Sequence, residues 1–281
     1  MTRYKKEDRF PRFVGVTGLP RSGSTLLGQL LSLHPDIQCE GQSSPLCNLL
    51  LGLRRMVSDD QFFLSQLDYS FEQSYGHLSG AMEGFLRGWY GPSDKSVVVD
   101  KNRAWLHCIE LLLKLAPEAR IIVTLRELGQ VYGSIEAQHQ RTILLDFIDH
   151  LADYDRFGRA DALFAKDKVI GAPMISLHAV QDLPDEVKSR LFFMRFEDLM
   201  VNPVLVMKKI YQWLGLEPMA IDLTRLPIKN EVESDSHYRM KFLHHYHGAL
   251  KVPQRHAVPP RIQAQIESAC AWFYQAYYPK N

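Results

Sequence analysis

The chain has 281 residues, of which 46% are hydrophobic and 23% are charged, and it contains 17 glycines and 15 prolines. These proportions are typical of a globular protein and exclude the collagen-like, disordered and disulfide-scaffold classes. The 33 Lys and Arg residues nearly balance the 32 Asp and Glu residues, which leaves a net charge of +1. This balance predicts no nucleic-acid partner and no polybasic membrane tether, so any bound anion requires a local site.

Neither the N-terminal segment nor any apolar stretch predicts export or a membrane span. Residues 1–12 are charged and precede a short apolar stretch at 13–16, which is too brief for a signal sequence. The apolar stretch at 46–53 is far shorter than the ~20 residues that a bilayer requires. We therefore expect a cytoplasmic protein. Its cysteines (Cys39, Cys47, Cys108 and Cys270) are then expected to be reduced and buried, with a Cys39–Cys47 disulfide as the alternative.

Strands and helices alternate along much of the chain. Short apolar runs rich in β-branched residues predict strands at residues 13–17, 97–99, 120–125 and 191–195. Helical periodicity follows these runs, at residues 24–33, 105–115, from 131 onward and 203–214. The alternation predicts a single α/β domain over residues 1–281, with a central, mostly parallel sheet flanked by helices on both faces.

Three longer segments interrupt this alternation. Residues 42–94 and 139–184 carry amphipathic helical patterns without a clear strand, and we expect them to form lids over an acceptor. Residues 226–258 contain five histidines and neither periodicity, and we interpret them as a loop that closes over a ligand. The histidines at 244, 245 and 247 have no carboxylate or cysteine at ligand spacing, so no metal site is predicted there.

A glycine-rich loop joins the first strand to the first helix. Residues 18–25 read Gly-Leu-Pro-Arg-Ser-Gly-Ser-Thr and have the spacing of the P-loop motif G-x-x-x-x-G-K-[ST], with Ser24 in place of the lysine. The N–H groups of such a loop and the positive end of the following helix bind a phosphate, and Arg21 can supply the missing charge. The alternative is a plain turn between strand and helix.

The loop, together with the His-Pro-Asp sequence at 34–36, resembles the sulfotransferases that use 3′-phosphoadenosine-5′-phosphosulfate (PAPS), in particular the bacterial members related to protein-tyrosine sulfotransferases. The resemblance covers most of the chain. It implies that the 5′-phosphosulfate contacts the loop residues Pro20, Arg21, Ser22, Gly23, Ser24 and Thr25.

The same resemblance assigns residues further along the chain. Arg126 and Ser134, eight positions apart, correspond to the pair that grips the 3′-phosphate, and Phe196 in Arg-Phe-Glu-Asp-Leu corresponds to the ring against the adenine. Ser236 and Lys251 correspond to closing-loop residues that touch the phosphates. An arginine at the carboxyl end of a strand faces the crevice where α/β proteins bind ligands, although a surface ion pair with Glu127 is the alternative.

Sulfuryl transfer requires in-line geometry, donors for developing charge, and a base for the attacking hydroxyl. Lys101, just after a strand, is predicted to stabilise the leaving phosphate. The related enzymes carry a glutamate base where this chain has Gln42, so we predict the nearest carboxylate, Glu40, as the base. The reserve candidates for this role are His107, Glu136 and His139.

The resemblance therefore implies a PAPS-dependent sulfotransferase that leaves adenosine 3′,5′-bisphosphate (PAP) as product and needs no metal. The acceptor would be a hydroxyl compound, namely a phenol, a peptide tyrosine, a sugar or a small metabolite. One alternative is a P-loop nucleoside or nucleotide kinase, against which the missing lysine argues. Another is a nucleotide-binding module without turnover, which Gln42 at the base position favours.

Overall fold

Five parallel strands form the central sheet. The structure is a computed structural model and describes residues 10–146, 150–228, 232–235 and 239–279. The strands are β1 (Arg12–Gly18), β2 (Ile37–Ser43), β3 (Val97–Lys101), β4 (Arg120–Leu125) and β5 (Leu191–Arg195). Their order is β2-β3-β1-β4-β5, and each neighbouring pair is parallel. The predicted parallel α/β sheet is confirmed, and the carboxyl ends of β1, β3 and β4 meet at one edge.

Helices lie on both faces of this sheet. They are α1 (Ser24–Leu31), α2 (Leu46–Ser58), α3 (Gln61–Tyr90), α4 (Ile109–Leu115), α5 (Leu128–Arg141), α6 (Arg156–Phe164), α7 (Gly171–Ala179), α8 (Asp185–Lys188), α9 (Phe196–Val201), α10 (Pro203–Leu214), α11 (Pro260–Ala269) and α12 (Ala271–Tyr277). The predicted helices at 24–33, from 131 onward and at 203–214 are confirmed as α1, α5 and α10. The one predicted at 105–115 is α4, which a 3₁₀ turn at Arg103–Trp105 precedes.

Successive side chains of β1 enter two different cores. Phe13 packs on one face against Trp105, with ring centres 5.1 Å apart. Val14 is buried in the core on the other face, which also contains Leu27 of α1 and Tyr211 of α10. Because both faces are covered, the strands are apolar at consecutive positions, which is why the sequence pattern predicts them as continuous apolar runs.

Local signals fix the ends of α10. The side-chain oxygen of Asn202 accepts a hydrogen bond from Leu205 N at 3.0 Å, and Pro203 occupies the first turn, where a missing N–H costs nothing. Gly215 ends the helix with a left-handed φ of 71°. The end of the helix predicted at 203–214 is therefore confirmed.

Strand β2 is absent from the sequence prediction. Residues 37–43 read Ile-Gln-Cys-Glu-Gly-Gln-Ser, and their polar residues and glycine obscure the strand pattern. The segment pairs with β3 as an edge strand, with an irregular register between Cys39 and Ser43. An edge strand is partly open to solvent, so it tolerates polar residues that a central strand does not.

The segment 226–258 also differs from its predicted structure. Strands β6 (Val232–Asp235) and β7 (Arg239–His245) form an antiparallel pair in which Val232 lies opposite His245. The interpretation of this whole segment as a loop is therefore wrong over β6 and β7. The other two irregular segments contain helices, α2 and α3 in one and α6 and α7 in the other. Their role as lids stays a prediction, as does the single domain over residues 1–281.

The four cysteines are free and buried, as predicted. Cys47 Sγ lies 2.9 Å from Cys108 Sγ, whereas Cys39 donates a weak hydrogen bond to Gly28 O at 3.5 Å. Cys39 and Cys47 are therefore not bonded to each other. Within the described residues, no helix combines the length and the apolar character that crossing a membrane requires.

The sharp exit from β1 generates a stability prediction. Gly18 has a φ of +127°, and a Cβ at this position would lie 2.1 Å from Thr124 O. We expect Gly18→Ala to lower the free energy of unfolding by about 2–5 kcal/mol, because it adds backbone strain and a clash with β4. Urea denaturation followed by circular dichroism measures this change.

Gly52→Ala is the matched control. Gly52 lies in α2, is exposed, and would place a Cβ in open space. This variant should raise the free energy of unfolding by about 0.5–1 kcal/mol, because alanine restricts the unfolded chain. Equal urea midpoints for the two variants would contradict the strain at Gly18.

Candidate active site

The loop at 18–25 is fixed to β4 at its base. Leu19 N donates to Thr124 O at 3.0 Å. Ser22 is buried, and its Oγ donates to Leu19 O at 2.5 Å and lies 2.6 Å from Thr124 Oγ1. The Ser22 hydroxyl thus links the loop to β4. The loop leads into α1 at the carboxyl edge of the sheet.

Two residues of the loop have left-handed backbone conformations. Gly23 has a φ of +86°, and a Cβ there would come within 2.5 Å of the Phe196 ring. Arg21 has a φ of 59°, which is unusual for a residue other than glycine. This conformation places the Arg21 carbonyl so that it accepts from Arg126 Nη1 at 2.9 Å, while Arg21 Nε donates to Ser134 Oγ at 3.1 Å. Three of the predicted residues are therefore joined by hydrogen bonds.

Lys101 reaches the loop from the neighbouring strand. It is the last residue of β3 and is buried, and its Nζ donates to Thr25 Oγ1 at 3.2 Å. A lysine from β3 thus contacts Thr25, the residue after Ser24, which stands in place of the P-loop lysine. The adjacent Asp100 accepts from Trp105 Nε1 at 2.6 Å and from the Tyr90 hydroxyl, and these bonds hold the end of β3 in place. Burial raises the pKa of Asp100 above its ordinary value.

Arg126 lies between an aromatic ring and a carbonyl. Its Cζ stands 4.7 Å from the centre of the Phe196 ring, a cation–π contact. Burial lowers the pKa of the Arg126 guanidinium. The charges of Glu197, Tyr278 and Glu127 act in the opposite direction and offset part of this shift. Glu127 itself caps α5, accepting from Gly129 N and Gln130 N at 3.0 and 2.8 Å. Within the described part of the chain, Arg126 and Glu127 form no ion pair with each other, so the surface-pair alternative lacks support.

These residues surround one cavity of about 410 Å³. It is lined by Arg21, Gly23, Ser24, Thr25, Leu26, Gln29, Arg126, Ser134, Gln138, Phe196, Met200, His245, His247, Ala249, Leu250, Lys251, Pro253 and His256. Among the described residues that line it there are three cations and three histidines, and no aspartate or glutamate. Such a cavity attracts anions.

The chain resembles known proteins in sequence over residues 13–220 and in fold over most of its length. The model of the sulfotransferase family matches residues 13–220. The chain belongs to the sulfotransferase family. It is therefore a transferase that moves a sulfuryl group, and the kinase alternative is not favoured.

Solved structures of sulfotransferases share the fold. A sulfotransferase from Alicyclobacillus acidocaldarius is 15% identical, with a TM-score of 0.54 over 96% of this chain and 97% of that one. The sulfotransferase domain from the curacin biosynthetic pathway is 16% identical, with a TM-score of 0.50 over 94% and 98% of the two chains. At such identities the likeness shows the fold. No curated protein sequence matches the chain.

The structure brings most of the predicted site residues of this sulfotransferase to one place. Those that line the cavity are Arg21, Gly23, Ser24, Thr25, Arg126, Ser134, Phe196 and Lys251. Pro20 and Ser22 belong to the loop but do not line the cavity, and Lys101 contacts it through Thr25. Ser236 lies outside the described residues.

None of the four predicted bases is among the described residues that line this cavity. Glu40 is exposed on β2 and lines a separate depression beside residues 92–95. Glu136 is buried and accepts from Arg159 Nε and Nη2 at 2.8 and 2.7 Å. His139 is buried in α5, and His107 lines a third cavity together with Arg103.

Sequence reasoning missed several polar residues that line the cavity, among them Gln138 and His256. Gln138 follows Ser134 by four positions on α5, so the helical period could have predicted that both face the ligand. His256 comes from an irregular segment, and no sequence signal distinguished it from the other histidines. Its pKa is lowered by burial and then by the charges of Arg126, Arg21 and Arg141.

The buried ion pair of α5 generates a prediction that separates structure from catalysis. Burial raises the pKa of Glu136, but hydrogen bonds from Arg159 and Gln140 outweigh it, so the pKa lies below the ordinary 4.5. We expect Glu136→Gln to lower the free energy of unfolding at pH 7 by about 3 kcal/mol, because Arg159 loses its buried partner. Urea unfolding measures the loss.

The pH dependence of this loss follows from the direction of the shift. A carboxyl group with a depressed pKa contributes stability above its unfolded-state pKa, and this contribution disappears as the pH falls through the folded-state value. The difference between wild type and Glu136→Gln should therefore shrink below pH 4.5. Glu72→Gln, at an exposed position of α3, should have the same free energy of unfolding as the wild type at pH 7 and below pH 4.5. A stable Glu136→Gln protein without turnover would instead indicate a catalytic carboxylate.

Proposed function

We propose that the cavity binds PAPS as the sulfuryl donor and releases PAP. The observation that carries this proposal is the charge of the cavity: three cations, a phosphate-type loop and three histidines line it, with no carboxylate among its described lining residues. A nucleotide with anionic groups at its 5′ and 3′ positions supplies the countercharge for both ends of such a cavity. Family membership gives the reaction, and the charge pattern favours this donor.

The loop end of the cavity suits the 5′-phosphosulfate. The N–H groups of residues 22–25 and the N-terminus of α1 favour an anion, and Lys101 holds a positive charge beside Thr25. Gly23 keeps the space of a side chain free next to Phe196. The donor supplies the activated sulfuryl group, and we propose that the Lys101 ammonium stabilises the charge left on the phosphate.

The opposite end suits the 3′-phosphate. Arg126, Ser134 and Arg21 already form a hydrogen-bonded group there, which reduces the cost of ordering them around a ligand. Phe196 together with the apolar Met200 and Leu250 offers a surface for the adenine. Lys251 lines the cavity, in keeping with its assigned contact to a phosphate, and Ser236 keeps that assignment from the resemblance alone.

We further propose that the reaction uses no metal, because Lys101 and the loop N–H groups supply positive charge where a phosphoryl-transfer enzyme uses Mg²⁺. The described residues include one group of three metal-ligating side chains, Asp146, His150 and Asp153, and it is exposed and does not line the cavity. The acceptor is a hydroxyl compound, namely a phenol, a peptide tyrosine, a sugar or a small metabolite, and nucleic acid is not among the partners.

A nucleotide-binding comparison tests the donor assignment. We expect the wild type, without Mg²⁺, to bind PAP more tightly than AMP by about 3–6 kcal/mol before solvent screening, the worth of two charge-assisted hydrogen bonds. Arg126→Ala should reduce this preference while AMP affinity stays unchanged. Isothermal titration calorimetry measures both constants.

Arg21→Ala should behave differently from Arg126→Ala. It removes the cation of the loop and also the partner of Ser134, so it should weaken AMP binding by about 1.5–3 kcal/mol and reduce the preference for PAP as well. Arg55→Ala, at an exposed position of α2, is the control and should bind both nucleotides like the wild type. Equal affinity of the wild type for PAP and AMP would overturn the donor assignment.

Turnover tests the base. We propose Glu40 for this role, since β2 pairs with the strand of Lys101. Glu40→Gln should lower sulfuryl transfer from labelled PAPS by ~10²–10⁴ while PAP affinity stays intact, because a positioned general base contributes only to the chemical step. A panel of a phenol, a tyrosine peptide and a sugar serves as acceptors.

Asp94→Asn is the matched control for the base. Asp94 lines the same depression as Glu40 and is not assigned a role. Its variant should transfer sulfuryl groups at the wild-type rate. A normal rate in Glu40→Gln would exclude Glu40, and a folded wild type that binds PAP but sulfates no acceptor would favour a module without turnover.

A further inference from the structure

His256 is held firmly against α5 at the cationic end of the cavity. Its backbone N donates to Gln130 Oε1 at 2.8 Å, and Gln130 Nε2 donates back to His256 O at 3.1 Å. A Cβ on Gly133 would come within 2.6 Å of the His256 Cβ. His256 therefore packs on the helix next to Ser134, and both residues line the cavity.

Positive charges face His256 from several elements. Arg21 comes from the loop after β1, Arg126 follows β4, and Arg141 ends α5; all three disfavour a charged imidazole. On its own segment Arg255 precedes it, and Arg255 also disfavours the charge of Arg126. Burial and then these charges lower the pKa of the His256 imidazole, so both favour its neutral form in the free protein.

The charges on neighbouring helices are already compensated. Arg156 of α6 donates to Ala257 O at 3.4 Å and lies 3.8 Å from Glu136, which also binds Arg159. The carboxylate of Glu136 is thus committed to two guanidinium groups. It does not line the cavity, so it does not supply a counter-ion for His256 there.

We propose that His256 is a third ligand of the phosphate that binds at Arg126 and Ser134, and that its imidazole takes up a proton when this phosphate binds. The inference rests on the proposed function, because it assumes a 3′-phosphate at this end. A phosphate dianion beside the ring reverses the local field, and the imidazolium then donates a charge-assisted hydrogen bond to it. No covalent bond changes; the proton comes from solvent.

The direction of the pH effect follows from linkage. Between the lower pKa of the free protein and the higher pKa of the complex, binding consumes a proton, so affinity for PAP falls as the pH rises, by up to about tenfold per pH unit. The second ionisation of the phosphate, near pH 6, acts in the opposite direction. The informative quantity is therefore the difference in proton uptake on binding between the wild type and a variant that cannot titrate at position 256.

Calorimetry in buffers of different ionisation enthalpy counts the protons taken up. PAP and AMP are titrated into the wild type, His256→Gln and His77→Gln between pH 6 and 8. His77 lies exposed on α3 and is the matched control for loss of a histidine. We expect the wild type and His77→Gln to take up close to one proton more per PAP than His256→Gln at pH 7, and the three proteins to agree for AMP.

Two outcomes overturn the inference and leave the proposed function standing. In the first, the wild type prefers PAP over AMP, but His256→Gln takes up as many protons per PAP as the wild type does. In the second, the difference in proton uptake between the wild type and His256→Gln is the same with AMP as with PAP. Loss of the preference for PAP in the wild type itself would instead overturn the proposed function. If His256→Gln does not fold, as judged by circular dichroism, His256→Asn replaces it. Histidine NMR of the wild type then gives a second measure, since one imidazole must titrate at a higher pH with PAP than without it.

Discussion

Three adjacent parallel strands end at the same edge of the sheet, and the site depends on this constraint. The loop follows β1, Lys101 ends β3, and Arg126 follows β4, so residues distant in sequence meet over a short span. Burial on both faces fixes the strands, and the bond from Leu19 N to Thr124 O fixes the loop to β4. The separation between the two ends of the cavity that we propose to bind anions is thus set by the spacing of strands, which side-chain motion does not alter.

The sequence predicts the parts of the molecule that local physics determines. Buried strands appear as apolar runs and the loop at 18–25 appears as a spacing of glycines and hydroxyls, so four strands and eight of the described residues that line the cavity were predicted. The edge strand β2 was not, because solvent exposure allows polar residues and a glycine in it. The contact of Arg21 with Ser134 depends on a backbone conformation and on packing with α5, and the position of His256 depends on Gln130. Such long-range contacts leave no periodic signal.

Several positively charged side chains line the cavity, and their mutual repulsion has to be offset by other groups of the protein. Arg126 is stabilised by the Phe196 ring and the Arg21 carbonyl, and Glu197 and Glu127 act on it from outside the cavity. These carboxylates have other partners, since Glu197 accepts from Glu127 N at 3.1 Å and from the Tyr278 hydroxyl at 2.7 Å. Keeping the acids outside leaves the positive end available for a ligand, while their field still offsets part of the repulsion.

The left-handed backbone conformation of Arg21 lowers the stability of the protein, while it positions groups that we propose to bind the ligand. A non-glycine residue with a φ of 59° costs about 1–3 kcal/mol, which glycine would avoid. The same conformation directs the carbonyl to Arg126 and the guanidinium to Ser134. Selection for thermal resistance alone would therefore favour glycine at this position and remove a cation from the loop. A heat-stable variant obtained without selection for activity is thus expected to lose function first at this strained residue, although its sheet and core remain intact.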